Sequence, residues 1–442
     1  MSEAKVLASK EVISPGELPQ PTGYSYAVKA GDFLFVSGLM ATDFKSGIAP
    51  EARVKPGRPF DLRPVKQQTR YIYKTLQQIL QAAGSSMEHL VRLDQFTLNR
   101  EVANDYLEGR NEFLLQDRPA STLVPVAGLL LPEAGIEVDA TGIIPRPGLA
   151  KSVARSDKIT FNVGGGYSQT VMAGDFVFLA GCTASDHIGA AAYPGGKGTG
   201  LHPDARVNPN YWYGSQIKAQ TRYIVAQKLN AMLEVAGCSL DDVVRAQVYI
   251  VDMAANWAGF QEVWAELFPR KRPSLTVYPV NAFGTVDALI EISLIALKPK
   301  SSLLVQSIET AQAVPPLGPC PQAVKVGSYV FFSTILAADE NGIAPEAAVD
   351  RNFPWHSIPA KRQMTHMLRS IEAICHAAGG DLDAIVKRYA MHTRPEEFAP
   401  GMEVWHEAFA KSPPASTTII VDAPLPVPAC TMALDLIGYV PG

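Results

Sequence analysis

The sequence lacks the features that identify membrane, secreted and metal-binding proteins. Only five of its 442 residues are cysteine, and they show no paired or metal-finger spacing. Neither a disulfide framework nor a zinc finger is therefore indicated, and a reducing cytoplasm is the expected location. The chain contains no apolar run long enough to cross a bilayer, and residues 1–10 do not resemble a secretory signal. We therefore expect no membrane association.

Charge and histidine are also sparse. Charged residues make up 19% of the chain and the net charge is −4, without a basic cluster, which argues against a nucleic-acid partner. Five of the eight histidines fall after residue 350, but none has the spacing of a zinc-binding helix. The sequence therefore predicts no metal and no cofactor.

One segment of the chain occurs three times. Residues 23–35 return at 166–178 and, more weakly, at 321–331. The period of about 145 residues is that of a complete small domain rather than of a solenoid unit. We divide the chain into three repeats, at residues 1–147, 148–300 and 301–442, with linkers expected near residues 145–158 and 298–312.

Each repeat predicts the same order of elements: strand, strand, helix, strand, helix, strand, strand. The first helix has one apolar stripe and ends at a glycine, which is Gly84, Gly237 or Gly379. Helices among strands in this order favour an α+β unit with helices on one face of a mixed sheet. The other face is left to pack against sister repeats, and three such units can close into a pseudo-threefold ring.

A series of short motifs recurs in the repeats. It runs Tyr-Ser-x-Ala-Val-x-Ala-Gly-Asp-Phe, then a Gln-Thr-Arg helix ending Ala-Ala-Gly, then Pro-Ala-Ser-Thr, then Ile-Glu-Val. Over nearly the whole chain this series resembles the Rid/YjgF family of enamine and imine deaminases. The resemblance implies chorismate-mutase-like α+β units that form trimers, with a central sheet barrel, helices outside, and ligand sites between subunits. Here it implies an intramolecular pseudo-trimer with three non-identical clefts, which could form further homo-oligomers.

One family residue is missing from all three repeats. The family's deaminases hold a substrate carboxylate with an arginine just before the Ser-Thr of one strand. Alignment on the preceding proline places Ala120, Ser274 and Ala415 at that position. Arg118 and Arg272 lie two residues earlier and either replace it or are ordinary solvated arginines. We therefore expect that simple imine acids are poor substrates, and that the ligand lacks a carboxylate or has its anion held elsewhere.

The family's water-positioning glutamate is retained in two repeats. It corresponds to Glu137 and Glu291, whereas the third repeat has Ala433. Apolar neighbours on a strand predict a half-buried carboxyl whose pKa is raised toward a range useful for acid–base catalysis. The alternative is a carboxylate that only bridges two repeats. We take Glu137 and Glu291 as the catalytic candidates.

The remaining family positions suggest substrate-binding residues. A family tyrosine matches two repeats, and a cysteine that is either a nucleophile or inert packing replaces it in the third. A Ser-Gly pair matches Ser37-Gly38, but is Ala180-Gly181 and Ser333-Thr334 in the other repeats. The predicted binding residues are Tyr24, Tyr167, Ser37, Gly38, Ser121, Ser274, Ser333 and Cys320. His392, on a predicted strand, is a further candidate base.

Three functions are compatible with these residues. The first is a cofactor-independent hydrolase that acts on a carbon–nitrogen bond of a small metabolite, by imine or enamine deamination or a related water addition, in a catabolic pathway. The second is a non-catalytic scaffold that binds a small molecule. The third, a chorismatase-like hydrolase, is disfavoured by the missing arginine. Retention of two carboxylates favours the enzyme, because burying a carboxylate is costly.

Overall fold

The computed structural model describes residues 10–55, 57, 63–160, 166–185, 200–208, 210, 214–350 and 352–441. The elements of the first repeat are β1 (Glu11–Ile13), β2 (Ala27–Ala30), β3 (Phe33–Leu39), α1 (Pro64–Ala82), β4 (Leu90–Thr97), α2 (Ala103–Asn111), β5 (Ala120–Pro125), β6 (Gly128–Leu129) and β7 (Ile136–Ile143). Those of the second are β8 (Lys151–Ala154), β9 (Thr170–Ala173), β10 (Phe176–Leu179), β11 (Cys182–Thr183), α3 (Gln216–Tyr223), a π-helix (Ile224–Leu229), α4 (Asn230–Glu234), β12 (Val243–Val251), α5 (Met253–Leu267), β13 (Ser274–Val280) and β14 (Ile290–Leu297). Those of the third are β15 (Val305–Ile308), β16 (Ala323–Val326), β17 (Tyr329–Phe332), β18 (Ile335–Leu336), β19 (Ala338–Asp339), β20 (Gly342–Ile343), α6 (Pro359–Ala377), β21 (Ile385–His392), α7 (Phe398–Ala408), β22 (Ala415–Ile420) and β23 (Met432–Tyr439).

The first helix of each repeat ends where its glycine predicts. Gly84, Gly237 and Gly379 have φ of 76°, 72° and 90°, the left-handed conformation that satisfies the last carbonyls of a helix. The predicted linkers are wrong in part, because β8 and β15 lie within them. These two strands pair with β9 and β16 and so extend their sheets.

Each repeat folds into one mixed sheet, which confirms the predicted α+β class. The strand order of the first sheet is β1-β2-β3-β7-β4-β5, with β4 and β5 parallel and the other pairs antiparallel. The second and third sheets have the equivalent order. The third sheet also takes in β6 of the first repeat, which pairs with β22. No helix in the described ranges is long and apolar enough to span a membrane.

The three sheets meet around a common axis. Phe33, Phe176 and Tyr329 are equivalent residues, and their ring centroids lie 5.4–5.5 Å apart in all three pairs. Such a triangle requires a closed ring of repeats, so the predicted pseudo-trimer is confirmed. The predicted central barrel consists of three separate hydrogen-bonded sheets; a continuous barrel is not formed by the described residues.

Buried polar pairs join neighbouring repeats near the axis. Asp139 accepts from Lys387 across one interface, and Asp435 accepts from Arg245 at 2.7 Å across the next. At the third interface the equivalent of these aspartates is Ser293, which accepts from Arg92 at 2.7 Å. Arg92 is neutralised instead by Asp94 of its own strand, at 2.7 Å. Each buried cation at these interfaces is therefore paired, as burial requires.

Candidate functional site

Three clefts form where the edge strand of one repeat meets its neighbour. Cleft I joins the first repeat to β22 of the third, where the Ser25 N–H donates to Pro414 O at 3.2 Å. Cleft II joins the second repeat to β5, where the Ser168 N–H donates to Pro119 O at 3.2 Å. Cleft III joins the third repeat to β13, where the Thr334 N–H donates to Leu275 O at 3.0 Å. Each cleft therefore contains residues of two repeats.

Glu137 lies in cleft I, on the face of β7 that packs against the third repeat. Gly38 makes room for it, since a Cβ at residue 38 would overlap Oε1 and lie 2.9 Å from Cγ2 of Thr417. The Thr418 N–H donates to the Glu137 carboxyl, whereas Oε2 has no partner among the described residues. Glu137 is only 2% exposed, more buried than the sequence predicts, and this burial raises its pKa to about 8.

Glu291 occupies the same place in cleft II. A Cβ at Gly181 would overlap Glu291 Oε1 and lie 2.8 Å from Oγ1 of Thr122, on the neighbouring repeat. Burial raises the pKa of Glu291 to about 8, although the nearby Lys228 ammonium opposes the shift. Both retained glutamates are therefore buried carboxyls that are largely protonated at neutral pH.

Cleft III is closed by a different arrangement. Ala433 supplies no carboxyl, and Thr334 replaces the glycine of the other clefts. Its Oγ1 accepts from the Val277 N–H at 3.1 Å. Val277 and Thr418 hold equivalent positions on their strands, so this hydroxyl accepts the bond that Glu137 accepts in cleft I. The threonine thus fills the space of the missing acid.

The predicted tyrosines lie near these carboxyls, and two of the predicted serines lie at the contacts between repeats. Burial raises the pKa of Tyr24 and Tyr167 well above the ordinary range, and each is also raised by the glutamate of its own repeat. Ser37 Oγ accepts from the Ser416 N–H at 2.8 Å, and Ser333 Oγ accepts from the Leu275 N–H at 3.0 Å. Both serines therefore connect adjacent repeats.

Other predicted residues have less favourable settings. The Ser274 hydroxyl donates to Val244 O of its own sheet at 3.3 Å, and the Ser121 hydroxyl donates to Gln95 Oε1 at 2.9 Å. The Cys320 thiol lies in cleft III, where burial raises its pKa to about 11 and disfavours the thiolate. Burial, with the nearby charge of Arg388, lowers the pKa of His392 to about 3, which makes it a weak base.

The two arginines considered as replacements lie at the rims of clefts. Arg118 is half-buried, and its Nε donates to Leu114 O at 2.9 Å. Its Nη1 would lie 2.9 Å from a Cβ at Gly166, next to Tyr167 in cleft II. Arg272 is exposed near Cys320 in cleft III.

Sequence reasoning missed Arg388, a buried cation behind cleft I. Its Nε donates to Ser416 Oγ at 3.0 Å and its Nη2 to Thr418 Oγ1 at 3.3 Å, while its guanidinium lies 4.7 Å from the Trp405 ring. Arg388 is 1% exposed, and no described carboxylate pairs with it. Burial lowers its pKa to about 9. An anion supplied by a ligand would compensate this charge.

Arg110, on α2, is the corresponding cation of cleft II. Its Nη2 donates to Gly166 O at 2.9 Å and its Nη1 to Ser121 Oγ at 3.5 Å. Ser121 and Ser416 are equivalent, so arginines from two different elements reach the same point of clefts I and II. The sister repeats have apolar residues at the positions of both arginines. This difference between the repeats is the feature of the sequence that could have identified the two arginines.

The described residues include no group of three or more His, Cys, Asp or Glu side chains that could hold a metal ion. What clefts I and II provide is a protonated buried carboxyl, a neighbouring phenol and a buried guanidinium. These groups can bind an anion and transfer a proton.

Comparison with known proteins agrees with this architecture. The family described as endoribonuclease L-PSP, which is the Rid/YjgF family, matches the chain at residues 17–144, 160–298 and 310–437, and the chain belongs to this family. A RutC family protein of Pyrococcus horikoshii is 34% identical over 134 residues, covering 30% of this chain and 88% of the relative. A RutC family protein of Pyrococcus abyssi is 31% identical over 150 residues, covering 34% and 99%.

Two solved structures are similar to parts of the chain. RidA from an Antarctic Psychrobacter species is 30% identical with a TM-score of 0.26, covering 30% of this chain and 99% of that one. A chorismatase is 12% identical with a TM-score of 0.47, covering 80% and 93%. The two RutC family proteins, of which 88% and 99% are covered, thus correspond to a single repeat of this chain.

Proposed function

We propose that the protein hydrolyses a carbon–nitrogen double bond of a small anionic metabolite, without a cofactor, at clefts I and II. Membership of the family supports a role in small-molecule chemistry. The observation that carries the proposal is that three features occur together. Clefts I and II each have a buried glutamate, a glycine that makes room for it, and a buried arginine. Cleft III has Ala433 and Thr334 instead, and Ala246 and Trp264 stand at the positions of Arg388 and Arg110.

The pKa of about 8 defines the chemistry of the glutamates. A protonated carboxyl donates its proton to the nitrogen of an imine, or to the carbon of an enamine, and leaves an electrophilic iminium carbon. The resulting carboxylate accepts a proton from water as the water oxygen bonds to that carbon. The carboxyl then returns this proton to nitrogen, and the carbon–nitrogen bond breaks as the new hydroxyl gives its proton to the carboxylate, which yields a carbonyl, ammonia and the protonated glutamate.

The two buried guanidiniums support an anionic substrate. An anion beside Ser416 would compensate the buried charge of Arg388, which no described carboxylate pairs, and an anion beside Ser121 could accept hydrogen bonds from Arg110. This arrangement corresponds to the expectation that the anion is held elsewhere than in the family's deaminases. The family's carboxylate-binding arginine lies on the edge strand, whereas Arg388 lies on β21 and Arg110 on α2. Slow turnover of simple 2-imino acids therefore stays a prediction.

Glutamine substitutions test the proposal. Imines and enamines generated in the assay are supplied to E137Q, E291Q and the double variant, and ammonia release is measured. We expect each single variant to retain the activity of one cleft, and the double variant to lose about 10²–10⁴-fold, the usual effect of removing a general acid–base group. E133Q, which changes an exposed glutamate, is the matched control.

Near-normal turnover by the double variant would contradict the proposal. The glutamates would then be structural bridges between repeats, and Cys320 and His392 would become the catalytic candidates. Binding of the imine without ammonia release, in the wild type as well as in the variants, would instead identify a non-catalytic scaffold.

We also propose a catabolic role and a reducing location such as the cytoplasm. Five buried free thiols support the reducing location.

A further inference from the structure

Cleft I contains a side pocket next to its carboxyl. The pocket begins at Gly38, beside Glu137, and extends toward α1. Its walls are mostly aromatic and apolar: Tyr24, Tyr26, Met40, Phe44, Tyr71 and Thr75. Its interior is small, about 20 Å³, which is room for one group of the size of a methyl. A pocket of this composition binds apolar groups in preference to charged ones.

Lys228 occupies the equivalent place in cleft II. Its Nζ donates to Thr183 O at 2.8 Å and to Ser185 O at 3.1 Å. In the alignment of the repeats these two residues correspond to Met40 and Thr42, which line the pocket of cleft I. Lys228 is 2% exposed, so its side chain is buried where the first repeat has space.

An insertion in the helix explains this difference. The segment from Arg222 to Gly237 is one residue longer than the matching segment from Arg70 to Gly84. The second repeat accommodates the extra residue in the π-helix Ile224–Leu229, whereas α1 is α-helical throughout. A π-helical turn commonly absorbs an inserted residue and often marks a functional site. Here it contains the lysine that reaches toward Glu291.

We propose that clefts I and II select different substrates. Cleft I accepts an anionic substrate with an ethyl-sized apolar side chain, whose terminal methyl group enters the side pocket. Cleft II excludes such a side chain, because Lys228 fills the space, and accepts only small substrates. The inference rests on the proposed function in one respect, namely that these two clefts are the ligand sites.

Calorimetric binding of two 2-oxo acids to the whole protein tests the proposal. Both probes carry the carboxylate and the carbonyl of a hydrolysis product, and 2-oxobutanoate adds one methyl group to pyruvate. We expect 2-oxobutanoate to bind one site per chain, at least about tenfold more tightly than pyruvate binds there, since one added methylene in a fitted pocket contributes about tenfold or more.

Two variants assign the sites. T75K places a lysine in the pocket of cleft I, and is expected to weaken 2-oxobutanoate binding at least about tenfold while pyruvate binding changes little. K228S empties the space in cleft II, and is expected to raise the number of sites for the larger probe from one to two. Far-UV circular dichroism establishes that each variant is folded; if K228S is not, T75K decides.

Two results would overturn the inference: two equal sites for the larger probe in the wild type, or unchanged affinity in T75K. Failure of the proposed function has a different signature. Absence of turnover with every imine would contradict hydrolysis but leave the binding preference intact, whereas failure of both probes to bind would contradict both proposals.

Discussion

Replacing Glu137 and Glu291 with glutamine is expected to flatten the pH dependence of stability between about pH 5 and 8. Burial raises the pKa of both carboxyls to about 8 in the folded protein, whereas in the unfolded chain a glutamate titrates near its ordinary value of about 4.5. Across this interval the folded state keeps protons that the unfolded state has released. The free energy of unfolding therefore falls as the pH rises toward 8.

The size of the effect follows from the pKa shift. Each unit corresponds to about 1.36 kcal/mol, so a glutamate whose pKa rises from about 4.5 to about 8 accounts for a loss of up to about 5 kcal/mol. Local relaxation of a buried site reduces such figures, and we expect at least about 2 kcal/mol per glutamate. Glutamine does not titrate in this range, so the free energy of unfolding of the glutamine variant does not show this decrease. The lowered pKa of His392 has the opposite effect, because it makes the free energy of unfolding rise with pH below about pH 6.5. His392 is present in the wild type and in the variants, so its contribution cancels in the comparison.

Urea unfolding at pH 5, 6, 7 and 8, followed by circular dichroism, measures the effect in the wild type, the single variants and the double variant. E133Q is the control for a glutamate that is exposed. If the double variant and the wild type lose the same stability between pH 5 and 8, within about 0.5 kcal/mol, both carboxyls are ionised in the folded protein. The acid chemistry proposed for clefts I and II would then be wrong.

Three further substitutions test individual contacts. G38A adds a methyl group that would overlap the Glu137 carboxyl. We expect it to lower the ammonia-release activity of cleft I at least about tenfold, measured in the E291Q background. The control T334A, in cleft III, should leave this activity unchanged. R388M removes a buried charge that has no described carboxylate partner. We expect unfolding in urea to show a neutral effect or a gain of up to about 4 kcal/mol, and calorimetry to show weaker binding of 2-oxobutanoate, in contrast to the exposed control R369M. D94N breaks the buried pair with Arg92 and should cost about 3–5 kcal/mol in the same unfolding assay, whereas adding S293D should restore stability because the other two interfaces hold an aspartate at that position. A D94N variant as stable as the wild type, or no rescue by S293D, would contradict that account.

Much of the fold could be predicted from the sequence because the relevant signals are local. The helix ends at Gly84, Gly237 and Gly379 depend on a conformation that glycine adopts easily, and the structure has it at all three. The triple repeat indicated the ring, since three identical folds with one unpaired face each can bury those faces against one another. Short strands such as β8 and β15 carried too weak a pattern and were mistaken for linkers.

The candidate site was likewise predicted in part from the sequence and decided in part by the tertiary structure. Sequence alone identified Glu137 and Glu291 and their loss at Ala433, because those residues lie within local motifs. Their full burial, the glycines that make room for them and the hydroxyl of Thr334 that replaces them are contacts between strands of different repeats. Arg388, Arg110 and Lys228 likewise act on residues far away in the chain. Such contacts depend on how the repeats close into a ring, and only the tertiary structure brings those atoms together.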